Sequence, residues 1–357
     1  MVEALGVLGG DPGRIHEEGM AARVALETAR DQVAELLGAR SRELVFTSGA
    51  TESIAAAVWG AAARARERSG MQGHQVFTAV EHSAVRLAAE RTGDITIVPV
   101  DRLGRVDPAA VQAAIRPDTV VVHVQWGNHE VGTIQPVVEV TAMARERGLL
   151  VHIDAAQAVG RVPITFDELG ADLLSFSGHK LGGPAGTGGL LVRRGLRIAP
   201  LLVGGDQERA RRAGLEPVAA LVGLGAACSA LVGSLDSEAA EAVRLTDRIR
   251  AGVVDLAGVG VYGDPDHRLP HLVCLGIEGV EPQGVLLGLD RAGVAAHSGS
   301  SCATESLEPS PVLEAMGVDA QRSLRLSVGW STTDDDVDLT LRELPGIVER
   351  LRALAGG

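Results

Sequence analysis

The segment Ser175-Phe176-Ser177-Gly178-His179-Lys180-Leu181-Gly182-Gly183-Pro184 puts a primary amine at the end of an apolar run, with Ser and His beside it and glycines behind it. Open α/β sheets bind their ligands outside the C-terminal ends of strands. A lysine there, kept from water, has a lowered pKa and can form a carbon–nitrogen double bond with an aldehyde. An exposed loop lysine is the commoner origin of any single Lys, and this segment alone does not overturn that. His152-Ile153-Asp154-Ala155-Ala156-Gln157 is an apolar run closed by a carboxylate. Such a carboxylate can keep the ring nitrogen of an electron-withdrawing cofactor protonated, or simply cap the next helix. Phe46-Thr47-Ser48-Gly49-Ala50-Thr51-Glu52-Ser53 passes from a strand through Gly into a helix start. Free backbone N–H groups and hydroxyls there form an anion cradle; an ordinary strand-to-helix turn has the same look.

The three cysteines read differently from one another. Cys228 in Ala226-Ala227-Cys228-Ser229-Ala230 and Cys274 in Leu272-Val273-Cys274-Leu275 have apolar neighbours and read as small buried hydrophobes. Cys302 lies in a stretch of small and polar residues from His297 to Pro309, which predicts a mobile loop and an accessible thiol. An odd count, wide spacing and no CxxC exclude a disulfide framework and a four-cysteine zinc site. The histidines contain no HExxH, so no metal is expected.

These residues need a scaffold, and the chain supplies one. Its 357 residues are 46% apolar but only 2% aromatic. The core must therefore be Ala, Val and Leu, which suits close-packed α/β layers. Strands are predicted at 43–47, 75–80, 94–100, 120–124, 149–153, 173–176 and 189–192, with helical patterns between them. Continuous apolar runs such as 120–124 suit a parallel sheet covered on both faces. The expectation is a doubly wound, mostly parallel large domain over 10–205, then a linking helical region over 206–256. A smaller α+β domain over 257–357 follows, with strands near 259–262, 272–276, 294–297 and 323–328, and it carries the Cys302 loop. A formal net charge of -13 argues against nucleic acid as a partner. No apolar run approaches the ~20 residues of a membrane span. The start, Met1-Val2-Glu3-Ala4-Leu5, lacks the pattern of a signal peptide, so a cytoplasmic location is expected.

Taken in order, Phe46–Ser53, Glu81-His82-Ser83-Ala84-Val85, Glu130-Val131-Gly132-Thr133-Ile134-Gln135-Pro136, Asp154–Gln157, Ser177–Pro184, Gly204-Gly205-Asp206-Gln207-Glu208-Arg209 and Ser298-Gly299-Ser300-Ser301-Cys302 form a series. The series resembles the NifS/IscS-type cysteine desulfurases, which are class V aminotransferase-fold enzymes, over about Gly9 to Leu351. The resemblance implies fold type I of the transferases that depend on pyridoxal 5'-phosphate. It implies L-cysteine as substrate, a homodimer, and a sulfur acceptor or scaffold protein as partner, as in iron–sulfur cluster assembly. Carried over residue by residue, it implies that Lys180 bears the cofactor and that Asp154 pairs with the pyridine nitrogen. Gln157 would hydrogen-bond the phenolic oxygen, and His82 would stack on the ring and move protons. Ala50, Thr51, Ser177 and His179 would hold the phosphate. Arg325 would bind the substrate carboxylate, with Asn128 beside the substrate, and Cys302 would take the sulfur as a persulfide while alanine leaves.

The chain departs from the family pattern in several places. The family's opening Ala- and Thr-rich strand has no counterpart ahead of Met1. His129 stands where the family has a cofactor-contacting Asn. Leu215 stands in place of a Thr that reaches the partner subunit's phosphate; one such lost hydrogen bond costs about 1 kcal/mol. Pro311 and Trp330 replace a usual His and Arg. Besides desulfuration, two readings stay open: another lyase, epimerase or aminotransferase chemistry on the same cofactor, and a catalytically impaired sulfur-relay partner. The thiol at Cys302 favours the first over the second, and the set Lys180, Asp154, Gln157 and His82 favours an enzyme over the third.

Overall fold

A computed structural model of the chain describes residues 1–70, 73–298 and 309–355. The chain forms two compact units. The larger comprises Met1–Val98, Pro108–Trp126 and Pro136–Leu235; the smaller comprises Pro99–Asp107, Gly127–Gln135 and Asp236–Gly357.

The larger unit is built on strands β1 (Leu44–Thr47), β2 (His74–Thr78), β3 (Ile95–Val98), β4 (Thr119–Gln125), β5 (Leu150–Asp154), β6 (Leu173–Ser177) and β7 (Gly188–Val192). They form one sheet in the order β1-β7-β6-β5-β4-β2-β3. Only β7 runs against its neighbours, so the sheet is mostly parallel, as the continuous apolar runs predicted. Val121, Val122, Val124, Val151, Ile153, Leu173, Leu174 and Phe176 are all buried, because helices cover the sheet. The helix Ala50–Ser69 shows how an alanine-rich sequence does this. Ala57 packs with Val45, Leu173, Leu190 and Val192, and Ile54 and Val58 pack with Phe77, Val85 and Ala89.

One close approach sets the geometry where β1 ends. Gly49 holds φ at 152°, which L side chains rarely adopt. A Cβ on Gly188, the first residue of β7, would lie 2.6 Å from both the Gly49 Cα and the Phe176 carbonyl oxygen. Two bare glycines therefore let the loop after β1 lie directly on β6 and β7.

A second tie is a buried ion pair. Arg30 donates two hydrogen bonds to Glu208, at 2.8 and 2.6 Å, with both side chains buried. Glu208 Oε2 also accepts the Phe46 N–H at 2.9 Å, and the guanidinium lies 4.6 Å from the Phe46 ring centre. Glu208 and Arg209 have positive φ of 49° and 59°, so the backbone is bent to bring that carboxylate inward.

The smaller unit is a four-stranded antiparallel sheet of β8 (Val259–Tyr262), β9 (Leu272–Ile277), β10 (His297–Ser298) and β11 (Ser323–Ser327), ordered β10-β11-β9-β8. Leu245, Ile249, Val273, Leu275, Leu289, Leu324, Leu326, Leu344 and Ile347 form its core between sheet and helices.

The region expected as one linking segment over 206–256 is divided instead. The helix Val218–Val232 belongs to the larger unit, and the helix Leu235–Val253 enters the smaller unit from Asp236. Gly233 and Ser234 separate the two helices. Their compositions explain the division. The first is apolar nearly all round in sequence and buries the face of Val218, Leu221, Leu224, Gly225, Cys228 and Leu231, whereas the second has one apolar stripe, at Ala242, Leu245, Ile249 and Val253, on an otherwise polar helix. The smaller unit also takes in two earlier excursions, Pro99–Asp107 and Gly127–Gln135, which the 257–357 boundary missed. No single helix among the described residues is long and apolar enough to cross a membrane.

The Gly188 approach gives a direct test. Gly188→Ala should destabilise the protein by about 1–3 kcal/mol through overpacking against backbone that cannot yield. Urea unfolding would read this as a lower midpoint, and an unchanged midpoint would show that the loop is free to move away.

Candidate functional site

In the larger unit, the C-terminal ends of the strands carry most of the residues singled out by sequence. Asp154 closes β5 and is only 6% exposed. Its Oδ1 accepts the Ala156 N–H at 3.0 Å, which turns the chain away from the sheet and places half-buried Gln157 just beyond. A buried carboxylate of this kind favours a positive or hydrogen-bonding group beside it.

β6 ends at buried Ser177, whose hydroxyl lies 2.9 Å from His179 Nδ1. The pKa of His179 is pushed down by partial loss of solvent and by the Lys180 charge. A methyl group at Gly49 would come 3.8 Å from Ser177 Oγ, so the N-terminus of the helix Ala50–Ser69 opens beside this pair. No side chain caps that N-terminus, where Ala50 and Thr51 begin the first turn. Uncapped N–H groups, a hydroxyl and a ring nitrogen together suit a phosphate.

Lys180 stands in a short 3-10 turn, Gly178–Leu181, directly after β6. Its carbonyl accepts from Arg161 Nη2 at 3.2 Å. The residue is exposed in the single chain. One signal in the sequence had gone unread: Lys180 is the chain's one lysine among 33 basic residues.

His82 caps the helix Ser83–Thr92, its Nδ1 accepting the Ala84 N–H at 3.1 Å. The neutral ring therefore carries its proton on Nε2.

Beneath Asp154 lies a feature that the sequence did not suggest. His152 sits two residues back on β5, hence on the same face. His152 Nδ1 is 3.0 Å from His123 Nδ1 on β4, and His123 Nε2 is 2.9 Å from Gln75 Oε1 on β2. His152 Nε2 is 2.8 Å from Ser175 Oγ on β6, and Gln75 Nε2 donates to Thr92 Oγ1 at 2.8 Å. The partners fix every proton. The amide oxygen of Gln75 can only accept, so His123 holds its proton on Nε2 and accepts at Nδ1. His152 must then donate from Nδ1 and accept the Ser175 hydroxyl at Nε2. The chain runs in one direction across four strands with both rings neutral. Burial pushes the His123 pKa down to about 3 and that of His152 well below its ordinary value.

In the smaller unit, Arg325 lies mid-strand on β11 opposite Cys274 of β9. Its Nη1 donates to the His129 carbonyl at 2.7 Å. Burial lowers its pKa, which Glu130 and Cys274 oppose, and a guanidinium remains charged regardless. Asn128 is fully buried, and its Oδ1 accepts the N–H groups of Glu130 and Val131, both at 2.9 Å. That oxygen holds the turn of the residue that the resemblance places beside the substrate. His129 is buried, with Nε2 3.5 Å from Glu130 Oε1. Pro311 opens the helix Pro311–Ala315 at its first position, behind the Ser310 cap, where its fixed φ suits the first helical turn.

Cys228 and Cys274 are fully buried, and burial pushes both thiols up to about 12, as their apolar surroundings predicted. Cys302 lies outside the described residues. No group of three or more metal-ligating side chains occurs among the described residues.

The chain was compared with known proteins. The aminotransferase class-V family model matches residues 9–340. The chain is 40% identical over 354 residues to a cysteine desulfurase IscS of Dictyoglomus turgidum, covering 97% of this chain and 89% of that protein. It is 39% identical over 352 residues to the cysteine desulfurase NifS of Azotobacter vinelandii, covering 96% and 87%. Among solved structures, a NifS-like protein superposes with a TM-score of 0.90 at 31% identity, covering 98% of this chain and 94% of the other.

The neutral ladder has a pH signature. Both rings hold pKa values below the ordinary 6.5. Their contribution is complete above about pH 7 and is lost as pH falls through 6.5 toward the folded values. Urea unfolding between about pH 7.5 and 4.5 should show stability falling with acid. The double variant His123→Gln and His152→Gln should show a shallower fall; an equally steep fall would mean that the pair does not titrate on unfolding.

Proposed function

The chain belongs to the aminotransferase class-V family, and from that membership we propose that it is a pyridoxal-phosphate-dependent cysteine desulfurase. The observation that carries this reading is the grouping at one strand edge of a buried carboxylate (Asp154), an uncapped helix N-terminus (Ala50 and Thr51), the Ser177–His179 pair and Lys180. This set fits the cofactor's three handles: a ring nitrogen needing a negative partner, a phosphate needing donors, and an aldehyde needing an amine.

In this reading Ala50, Thr51, Ser177 and His179 hold the phosphate, and Asp154 keeps the proton on the ring nitrogen. Gln157 and His129 donate toward the phenolic oxygen, and His82, protonated at Nε2, covers the ring face. Lys180 would hold the cofactor's aldehyde carbon and, once freed as the amine of L-cysteine takes its place, would move the proton at the substrate α-carbon. Arg325 orients the substrate by its carboxylate, for which a guanidinium fork is suited, and the Asn128 turn holds the His129 carbonyl that Arg325 meets. The cofactor, when bound, supplies a ring that draws electron density from the substrate α-carbon. The Cys302 thiolate attacks the substrate sulfur: its Sγ forms a sulfur–sulfur bond, the substrate carbon–sulfur bond breaks, and alanine leaves with the persulfide on Cys302. A separate protein then accepts that sulfur, as in iron–sulfur cluster assembly, within the cytoplasm.

A homodimer belongs to the same proposal. Val2, Leu5, Val7 and Ile15 are 66–95% exposed in the single chain, and Leu215 is 63% exposed. Large apolar side chains left this exposed are of the kind that another subunit covers.

The uniqueness of Lys180 makes the cofactor test unusually clean. Protein as purified should absorb in the visible range, and borohydride should fix the cofactor on one tryptic site, Lys180. Lys180→Ala should abolish both the band and alanine formation, and a retained band would place the cofactor elsewhere.

Sulfur transfer is tested separately. Cys302→Ala should keep the cofactor band yet lower alanine release from L-cysteine by at least about 100-fold, the scale of losing a committed nucleophile. Wild-type turnover in that variant would remove Cys302 from the reaction.

A further inference from the structure

The larger sheet has a second feature at its other edge, far from the strand ends that carry Asp154 and Ser177. Thr119 and Leu150 begin β4 and β5, Asp172 precedes β6, and Arg193 follows the reversed strand β7. Together they line an open cleft of about 560 Å³. Five arginines from three elements reach it: Arg64 and Arg68 from the helix Ala50–Ser69, Arg145 from the helix Val137–Glu146, and Arg193 and Arg194 from the turn after β7.

The cleft's own carboxylate is already committed. Asp172 Oδ2 accepts the Val151 N–H at 2.9 Å, and Oδ1 accepts from Arg193 Nε at 2.8 Å. Arg64 donates to the Arg197 carbonyl at 3.1 Å, which fixes its direction without neutralising it. Among the described residues, no hydrogen bond or ion pair engages the guanidinium of Arg68, Arg145 or Arg194. Arg145 is seated against Gly170, where a Cβ would come within 2.2 Å of Nη1, so the backbone has been left bare beneath that guanidinium.

Like charges drawn from separate elements into one concavity repel, and they do so at a cost that a bound anion removes. The chain's formal charge of -13 makes such a concentration harder to ascribe to composition. No aromatic side chain lines the cleft, so a nucleobase would find no stacking partner. Its volume lies in the range of small-ligand sites rather than polymer tracks. We propose that this cleft binds a small, multiply charged phosphate compound of the linear polyphosphate or bisphosphate kind, recognised by charge-assisted hydrogen bonds from Arg68, Arg145 and Arg194. The site stands apart from the cofactor and its chemistry.

Titration calorimetry of the cofactor-loaded protein with sodium tripolyphosphate, at about 0.15 M salt to screen loose surface attraction, tests this. Saturable one-to-one binding is expected, weakened at least about tenfold in the double variant Arg145→Ala and Arg194→Ala. The double variant Arg342→Ala and Arg350→Ala, on the C-terminal helix, should bind as wild type does. Absence of saturable binding, or equal weakening in both variants, would overturn the proposal. Hydrogen exchange on the wild-type protein guards against a folding defect. Tripolyphosphate should slow exchange at 145–150 and 193–196. Protection at 48–53 and 177–180 instead would mean that the anion occupies the cofactor's phosphate cradle, and the cleft would be no site.

Discussion

A carboxylate shut away from water is the constraint on which the larger unit turns. Asp154 is buried at the end of a central strand, flanked by β4 and β6. Folding a charge into such a place is unfavourable unless something there makes the ionised form worthwhile. The Ala156 N–H, 3.0 Å away, meets one of the Asp154 oxygens. A protonated ring nitrogen would add a charged partner unscreened by water. Fold and cofactor are then coupled, because a group that binds only the folded state feeds directly into stability.

The ladder one pleat below Asp154 serves the same arrangement. Ser175, His152, His123 and Gln75 could have been apolar, as most neighbours on these strands are. As polar groups they demand partners, and each has one, in a single donor direction that leaves no ring charged. A protonated histidine there would set a second charge beside Asp154 and compete with the ring nitrogen for it. Neutral rings avoid that competition, and the hydrogen bonds across β2, β4, β5 and β6 fix the register that puts Asp154 at the edge.

Much of this was legible in the chain, and the part that was not has a physical reason. Local signals carried the strands, the Gly49 turn and the inert character of Cys228 and Cys274. Each depends on neighbours in sequence. The ladder depends on which residue of one strand lies beside which residue of another, information that His123 and His152 do not carry separately. The same holds for Glu208: its motif was visible, yet only the fold reveals that its positive φ aims the carboxylate at Arg30, 178 positions away. Asn128 shows the same dependence: its oxygen meets two backbone N–H groups of the turn that follows it, a role only the folded backbone reveals. The long helical stretch was read as one piece because Gly233 and Ser234 are weak breakers by composition; the change from an all-apolar helix to a one-sided one was the better sign of two destinations.

Lys180 brings these strands of argument together. The chemistry proposed for it requires that water be kept from the amine and its product, yet the residue is exposed in the single chain. The apolar side chains of Val2, Leu5, Val7 and Ile15 stand uncovered in the same larger unit. A second copy that buried them would remove an unfavourable surface, and closing over the strand edge would give the amine the shelter the reaction needs. In the proposed dimer, Leu215 in place of a hydrogen-bonding Thr would be tolerable if the second copy served the site chiefly by excluding water. A single cross-subunit hydrogen bond contributes about 1 kcal/mol, whereas removing bulk solvent strengthens every charged contact around Asp154 at once.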